Sequence, residues 1–229
     1  MPQVLNRPST RLRSARTTLA RKYLNGNGIE IGALARPVLV PHAEISYYDR
    51  CTEAELAALY PHKAASLKAL DGIASLESLE PIENASLDFV IACRVLEYSS
   101  NVLAAFHAMH RVLRKGGHAF LSVADKRLTA DHHRPVTPLG HLAADFVHGP
   151  SGSWPGHLEE WAVFIEHGAG EDPEERLQLA LQHTQRIRQH VWTPQAWMEL
   201  LVEVQRGLGF ELQCWQITKQ EILTVLIKT

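Results

Sequence analysis

The chain has little material for covalent cross-links: 229 residues hold three cysteines, Cys51, Cys93 and Cys214, odd in number and far apart. That excludes a disulfide framework and a paired-cysteine metal knuckle, and it suits a reducing cytoplasm. No run approaches the roughly 18 consecutive apolar residues a spanning helix needs, so no membrane span is expected. Excess charge of one sign is also missing. Lys+Arg 23 against Asp+Glu 25 leaves −2, which argues against a nucleic-acid partner, whose phosphates would demand a basic face. Repeats, low-complexity tracts and an apolar signal-peptide core are absent. What remains is an ordinary soluble composition, 45% hydrophobic and 21% charged, in a length that one α/β domain fills.

The first 27 residues carry Arg7, Arg11, Arg13, Arg16, Arg21 and Lys22 with no acid before Glu30, a composition similar to an organellar transit peptide. The same stretch places Leu12, Ala15, Leu19 and Tyr23 at helical spacing, and a structural or lid helix is the reading taken. Short β-type runs then alternate with helical ones, the signature of a parallel sheet with crossover helices. Strands are predicted at 28–31, 44–48, 67–70, 87–93 and 118–124. Helices are predicted at 52–60, opened by a Thr52/Glu55 capping box, and at 101–113, capped by Asn101. From Asp125 onward prolines break the chain into short pieces, and eight of its 13 histidines fall between 125 and 192. A helix from Thr193 to about Leu208 and two runs, 210–216 and 221–227, end the chain as an antiparallel hairpin. The expected fold is α/β and Rossmann-like: a mostly parallel seven-stranded sheet ending in that hairpin, with a helical insertion after strand 5. The expected organisation is one domain, with an N-terminal helix (1–27), a cofactor-binding half (28–124), an acceptor-side insertion (125–192) and a closing helix and hairpin (193–229).

Ligands of open α/β sheets bind at the carboxyl ends of the strands. The first strand ends Glu30-Ile31-Gly32-Ala33, where Gly32 permits a tight turn and Glu30 sets a carboxylate beside it. The second ends Tyr48-Asp49-Arg50, and an acid there can accept both hydroxyls of a ribose. The third is expected to end at Asp71-Gly72, near an adenine edge, and the fourth at Ala92-Cys93-Arg94. Glu44 lies only 12 positions beyond Gly32, with Pro37 and Pro41 between them, too short a span for a crossover helix. A dinucleotide cofactor is therefore disfavoured, and an adenosine-type cofactor without a pyrophosphate is favoured.

Gly28-Ile29-Glu30-Ile31-Gly32-Ala33, Tyr48-Asp49-Arg50, Ser86-Leu87-Asp88-Phe89-Val90-Ile91-Ala92 with Val95-Leu96-Glu97, and Arg111-Val112-Leu113-Arg114-Lys115-Gly116-Gly117 resemble class I S-adenosylmethionine-dependent methyltransferases over residues 24–125. Asp125-Lys126-Arg127, Asp131, Arg134-Pro135-Val136-Thr137 and His141-Leu142 are similar to bacterial methyltransferases that accompany glycosyltransferases in surface-polysaccharide synthesis. The resemblance implies S-adenosyl-L-methionine as cofactor, with Glu30, Gly32 and Ala33 by its methionine, Asp49 and Arg50 by the ribose, Asp71 and Gly72 by the adenine, and Cys93 beside them. It also implies a glycan or small-molecule acceptor, methylated on a sugar hydroxyl, and a glycosyltransferase partner or a homo-oligomer. Two departures stand out. Ala33 and Ala35 replace a Gly-x-Gly loop, and Arg94 and Tyr98 stand where many members carry histidines.

A hydroxyl acceptor needs a base, and His141, His133 and Glu97 are the candidates. A metal site from His132, His133 and His141 with Asp131 or Asp145 is the other reading of the histidines, but their spacing matches no tight ligand signature and no metal is expected. Arg94, Lys126, Arg127 and Arg134 could attract an anionic acceptor or pair with nearby aspartates. Other readings are an O- or N-methyltransferase of small molecules and a noncatalytic methyltransferase-like module.

Overall fold

The computed structural model describes residues 10–165, 174, 178, 181 and 184–229. Strands β1 (Gly26–Ile31), β2 (Ala43–Asp49), β3 (Gly72–Ile73), β4 (Leu87–Cys93) and β5 (Leu113–Ala124) run parallel, and β6 (Phe210–Ile217) and β7 (Glu221–Lys228) form the closing hairpin. The spatial order is β3-β2-β1-β4-β5-β7-β6, with β7 antiparallel to both its neighbours. This is the seven-stranded sheet expected from the sequence.

Central strands are covered on both faces, so they read as unbroken apolar runs: Phe89, Val90, Ile91 and Ala92 are all fully buried. Alternation along β4 sends Val90 and Ala92 to one face and Phe89 and Ile91 to the other. The first face packs helices α3 (Val102–Val112) and α6 (Pro194–Leu208); the second packs α1 (Thr10–Tyr23) through Leu19 and Ala20. Between β2 and β3, α2 (Glu53–Leu59) opens with the anticipated capping box, Thr52 Oγ1 accepting from the Glu55 N–H while Glu55 Oε2 accepts from the Thr52 N–H at 2.7 Å. Thr193 caps α6, and Gly209, at φ 68°, ends it in the left-handed region.

The third strand differs from expectation. The run 67–70 has the apolar texture of a strand but forms none; pairing starts only at Tyr48↔Gly72. Asp71 explains the shift, because its carboxylate accepts from the Tyr47 N–H at 2.7 Å and its own N–H donates to the Tyr47 carbonyl at 2.8 Å. That double contact sets the register one step before the ladder begins.

After β5 the insertion forms two short helices, α4 (Leu139–His148) and α5 (Trp154–Phe164). Trp154 starts α5 and packs with Trp161 around Leu158, Ala162 and Ile187. The buried Arg134 guanidinium ties the insertion together, reaching Asp131 at 2.9 Å, Glu160 at 2.7 Å and the Arg188 carbonyl at 2.8 Å. No helix among the described residues is long and apolar enough to cross a membrane.

Candidate active site

The carboxyl ends of β1, β2 and β4 open into one cavity of about 600 Å³, within the range that holds cofactor-sized ligands. Of the residues singled out in the sequence, Glu30, Gly32, Ala33, Asp49, Arg50 and Cys93 line it. Asp71 and Gly72 do not. Because the third strand lies further along the chain than anticipated, Ala74, Ser75 and Leu76 occupy the wall at its end.

The turn after β1 is a cradle only glycine can form. Gly32 has φ 71°, and a Cβ built on it would stand 2.8 Å from Val95 Cγ2. The loop beyond has no helix up to β2, as the two prolines require. Glu30 holds that loop: 1% exposed, its carboxylate accepts from the Val38 N–H at 2.9 and 3.2 Å. At the end of β2, Asp49 is 8% exposed and accepts from the Cys51 N–H at 3.2 Å. Burial pushes the Asp49 carboxyl above the ordinary aspartate range and the Cys93 thiol up to about 12, so Cys93 is an apolar wall group there. Arg50 turns across the rim, donating to the carbonyls of Tyr98 at 3.4 Å and Gln185 at 2.9 Å.

Burial also pushes the Glu30 carboxyl up to about 8. An acid whose pKa is 4.5 unfolded and about 8 folded binds a proton on folding, so its stabilising contribution is complete below pH 4.5 and is lost as pH rises to about 8. Across that window stability is expected to fall by up to about 1.4 kcal/mol per pH unit from this group. Urea unfolding at pH 5 to 8 checks it: Glu30→Gln should flatten the slope, and parallel slopes in both proteins would overturn the assignment.

The base candidates are not at the cavity. Among the described residues no histidine lines it. His133 is exposed with its ring against His132 at 3.8 Å, and His141 turns to His157 and His190 behind the wall. Glu97 is 1% exposed; its Oε1 accepts from Arg94 Nε at 2.8 Å and the Ala124 N–H at 2.7 Å, which makes it a brace between the ends of β4 and β5. Pairing also absorbs Arg127, on Asp125, and Arg134. Several cavity residues gave no sequence signal beyond their charge. Arg16 of α1 lines the wall and pairs with Glu221, its Nε 2.8 Å from Oε1, while Arg36, Lys63, Thr129 and Arg188 complete the rim.

Strand order, terminal hairpin and glycine cradle together define a class I methyltransferase fold. Residues 26–121 match the family model described as a methyltransferase domain. Among solved structures, an S-adenosylmethionine-dependent methyltransferase from Aquifex aeolicus is 11% identical, with 98% of this chain and 95% of that one covered at a TM-score of 0.51. One from Methanosarcina mazei is 15% identical, covering 92% and 96% at 0.50. The CurJ carbon methyltransferase is 16% identical at 0.52, and this chain, 98% covered, spans only 57% of its length. No curated protein sequence matches. The match over residues 26–121, together with the fold, supports a methyltransferase whose cofactor is S-adenosylmethionine. The residues present fit that group: the glycine cradle leaves room at the end of β1, and a buried acid stands at the end of β2.

Proposed function

We propose that the enzyme methylates a hydroxyl of an anionic small molecule, a phosphorylated or nucleotide-linked sugar of the kind consumed in polysaccharide synthesis. The observation that carries this reading is the cationic mouth of the cavity. Arg36 and Lys63 line it beside Tyr60, Lys63 Nζ lies 4.7 Å from the Tyr60 ring centre, and Arg186 stacks on that ring at 5.7 Å. Burial, together with Arg36 and Arg186, lowers the Lys63 pKa, and among the described residues no carboxylate forms an ion pair with Lys63. Crowded cations attract a phosphate strongly, and an aromatic face beside them suits a base or sugar ring.

When bound, S-adenosylmethionine supplies an electrophilic methyl group on a sulfonium. In this reading Gly32 and Asp49 hold the cofactor, Arg50 closes the rim, and the mouth orients the acceptor for in-line attack. Tyr98 lines the wall with its hydroxyl accepting from Arg188 Nε at 3.4 Å, leaving an oxygen lone pair toward which an acceptor hydroxyl can donate.

S-adenosylhomocysteine release, measured with nucleotide sugars, sugar phosphates and uncharged glycosides, tests the reading. Turnover is expected with the anionic sugars. Lys63→Gln should raise their KM roughly threefold to tenfold, with kcat and the cofactor KM unchanged, the effect being moderated by solvent screening at a half-exposed site. Equal turnover of uncharged glycosides, or an unaltered KM in Lys63→Gln, would sink it.

A further inference from the structure

We propose that His141, Asp145, His157 and His190 hold a structural zinc ion that staples α4 and α5 of the acceptor-side insertion to its last segment, the one that leads into α6. His141 and Asp145 lie one turn apart on α4 and share a face, His157 comes from α5, and His190 precedes Trp192, which bridges Asp125 at the end of β5. One ligand atom from each of the four lies within 4.8 Å of all the others. His141 Nε2 stands 3.2 Å from His157 Nε2 and 3.1 Å from Asp145 Oδ2. Donors around tetrahedral zinc at 2.0–2.1 Å are separated by about 3.3 Å, so these contacts have the length of a tetrahedron's edges.

The unmet valences point the same way. Asp145 Oδ2 and the His190 ring nitrogens are buried with few polar partners: Asp145 Oδ2 meets His141 Nε2 at 3.1 Å, and the Ser100 backbone is the polar neighbour of the His190 ring. Such groups are uncommon in protein interiors, and a set of them beside two further imidazoles is the donor arrangement of a cation site. Asp145 is prepared for one-oxygen ligation: the Ser153 hydroxyl donates to Oδ1, and Asn101 Nδ2 holds the Asp145 carbonyl at 3.0 Å. These contacts orient a ligating carboxylate as outer-shell partners do. Ring packing alone, with centroids 5.0–5.4 Å apart and edge-on, leaves these buried nitrogens and the carboxylate oxygen short of partners.

Four protein ligands and burial describe a closed site, and none of the four residues lines the cofactor cavity. The ion therefore acts on the fold of the insertion, whether or not the proposed acceptor is correct. His132 and His133, weighed as ligands in the sequence although their spacing matched no ligand signature, are exposed and outside the cluster. The expectation that the chain takes no metal is replaced by this proposal.

The test uses the full chain without an affinity tag. Elemental analysis should find one zinc per chain. Chelation should lower the melting midpoint by roughly 5–10 °C relative to protein at a zinc level 100-fold above Kd, and added zinc should restore it. Cobalt(II) added to the stripped chain should give the intense visible absorption of a tetrahedral site. His190→Gln and His157→Gln should lose the ion, whereas His132→Gln should keep it. A folded chain with no bound metal, no response to zinc and no cobalt band overturns the proposal. So does a His190→Gln chain that binds zinc as the native one does. Should the variants unfold, the native titration alone decides.

Discussion

An Asp49→Ala chain is expected to bind S-adenosylhomocysteine about a hundredfold more weakly than the native chain while melting within a few degrees of it. Asp49 ends β2 at 8% exposure, and its carboxylate accepts from the Cys51 N–H at 3.2 Å. Among the described residues no cation forms an ion pair with it. Its burial without such a partner is a strain on folding, as the raised pKa shows, so its removal leaves no opposite charge stranded. The cofactor loses more. Two hydrogen bonds from ribose hydroxyls to a carboxylate are worth about 1.5–3 kcal/mol each, and even about 2.7 kcal/mol in total is a factor of 100. The pH dependence carries its own sign. A raised carboxyl pKa means that the accepting form disappears at a higher pH than for an ordinary aspartate, so native affinity should fall as pH drops through that range. Asp49→Asn should bind weakly with that limb flattened. Isothermal titration at pH 5 to 8 checks both, and an Asp49→Ala affinity within threefold of native would refute the role.

What could be read in the sequence was whatever depends on neighbours along the chain. The Gly32 turn, the acid ending β2 and the proline-limited loop are local consequences of residue type, and each lies where it was expected. The third strand was displaced because an apolar run at a sheet edge says nothing about register, which the Asp71 contacts with Tyr47 decide. The histidines were harder still. His141 and Asp145 were visible as possible ligands, but His157 and His190 join them only through the packing of α5 and the segment before α6. Spacing cannot report a cluster assembled from three separate segments. Arg16 was hidden for the same reason, since one arginine in a basic helix gains its place only when α1 meets β7.

Gly32→Ala should cost both stability and cofactor affinity, and a second substitution separates the causes. Two penalties act at this position. A non-glycine residue at φ 71° bears left-handed strain of roughly 1–2 kcal/mol, and its Cβ would meet Val95 Cγ2 at 2.8 Å, an overpacking of about 1–3 kcal/mol. Together they predict a fall in melting midpoint of roughly 4–20 °C at this chain length. Val95→Ala removes the clashing methyl but leaves φ unchanged. The double variant Gly32→Ala/Val95→Ala should therefore recover the steric share, giving a favourable coupling of about 1–3 kcal/mol in a mutant cycle. Cofactor affinity should not recover to the same extent, because relieving the clash does not remove the backbone strain in the turn that cradles the ligand. Strict additivity would show that the side-chain contact contributes nothing. Full recovery of binding in the double variant would show that the turn tolerates alanine and that Val95 alone made glycine necessary.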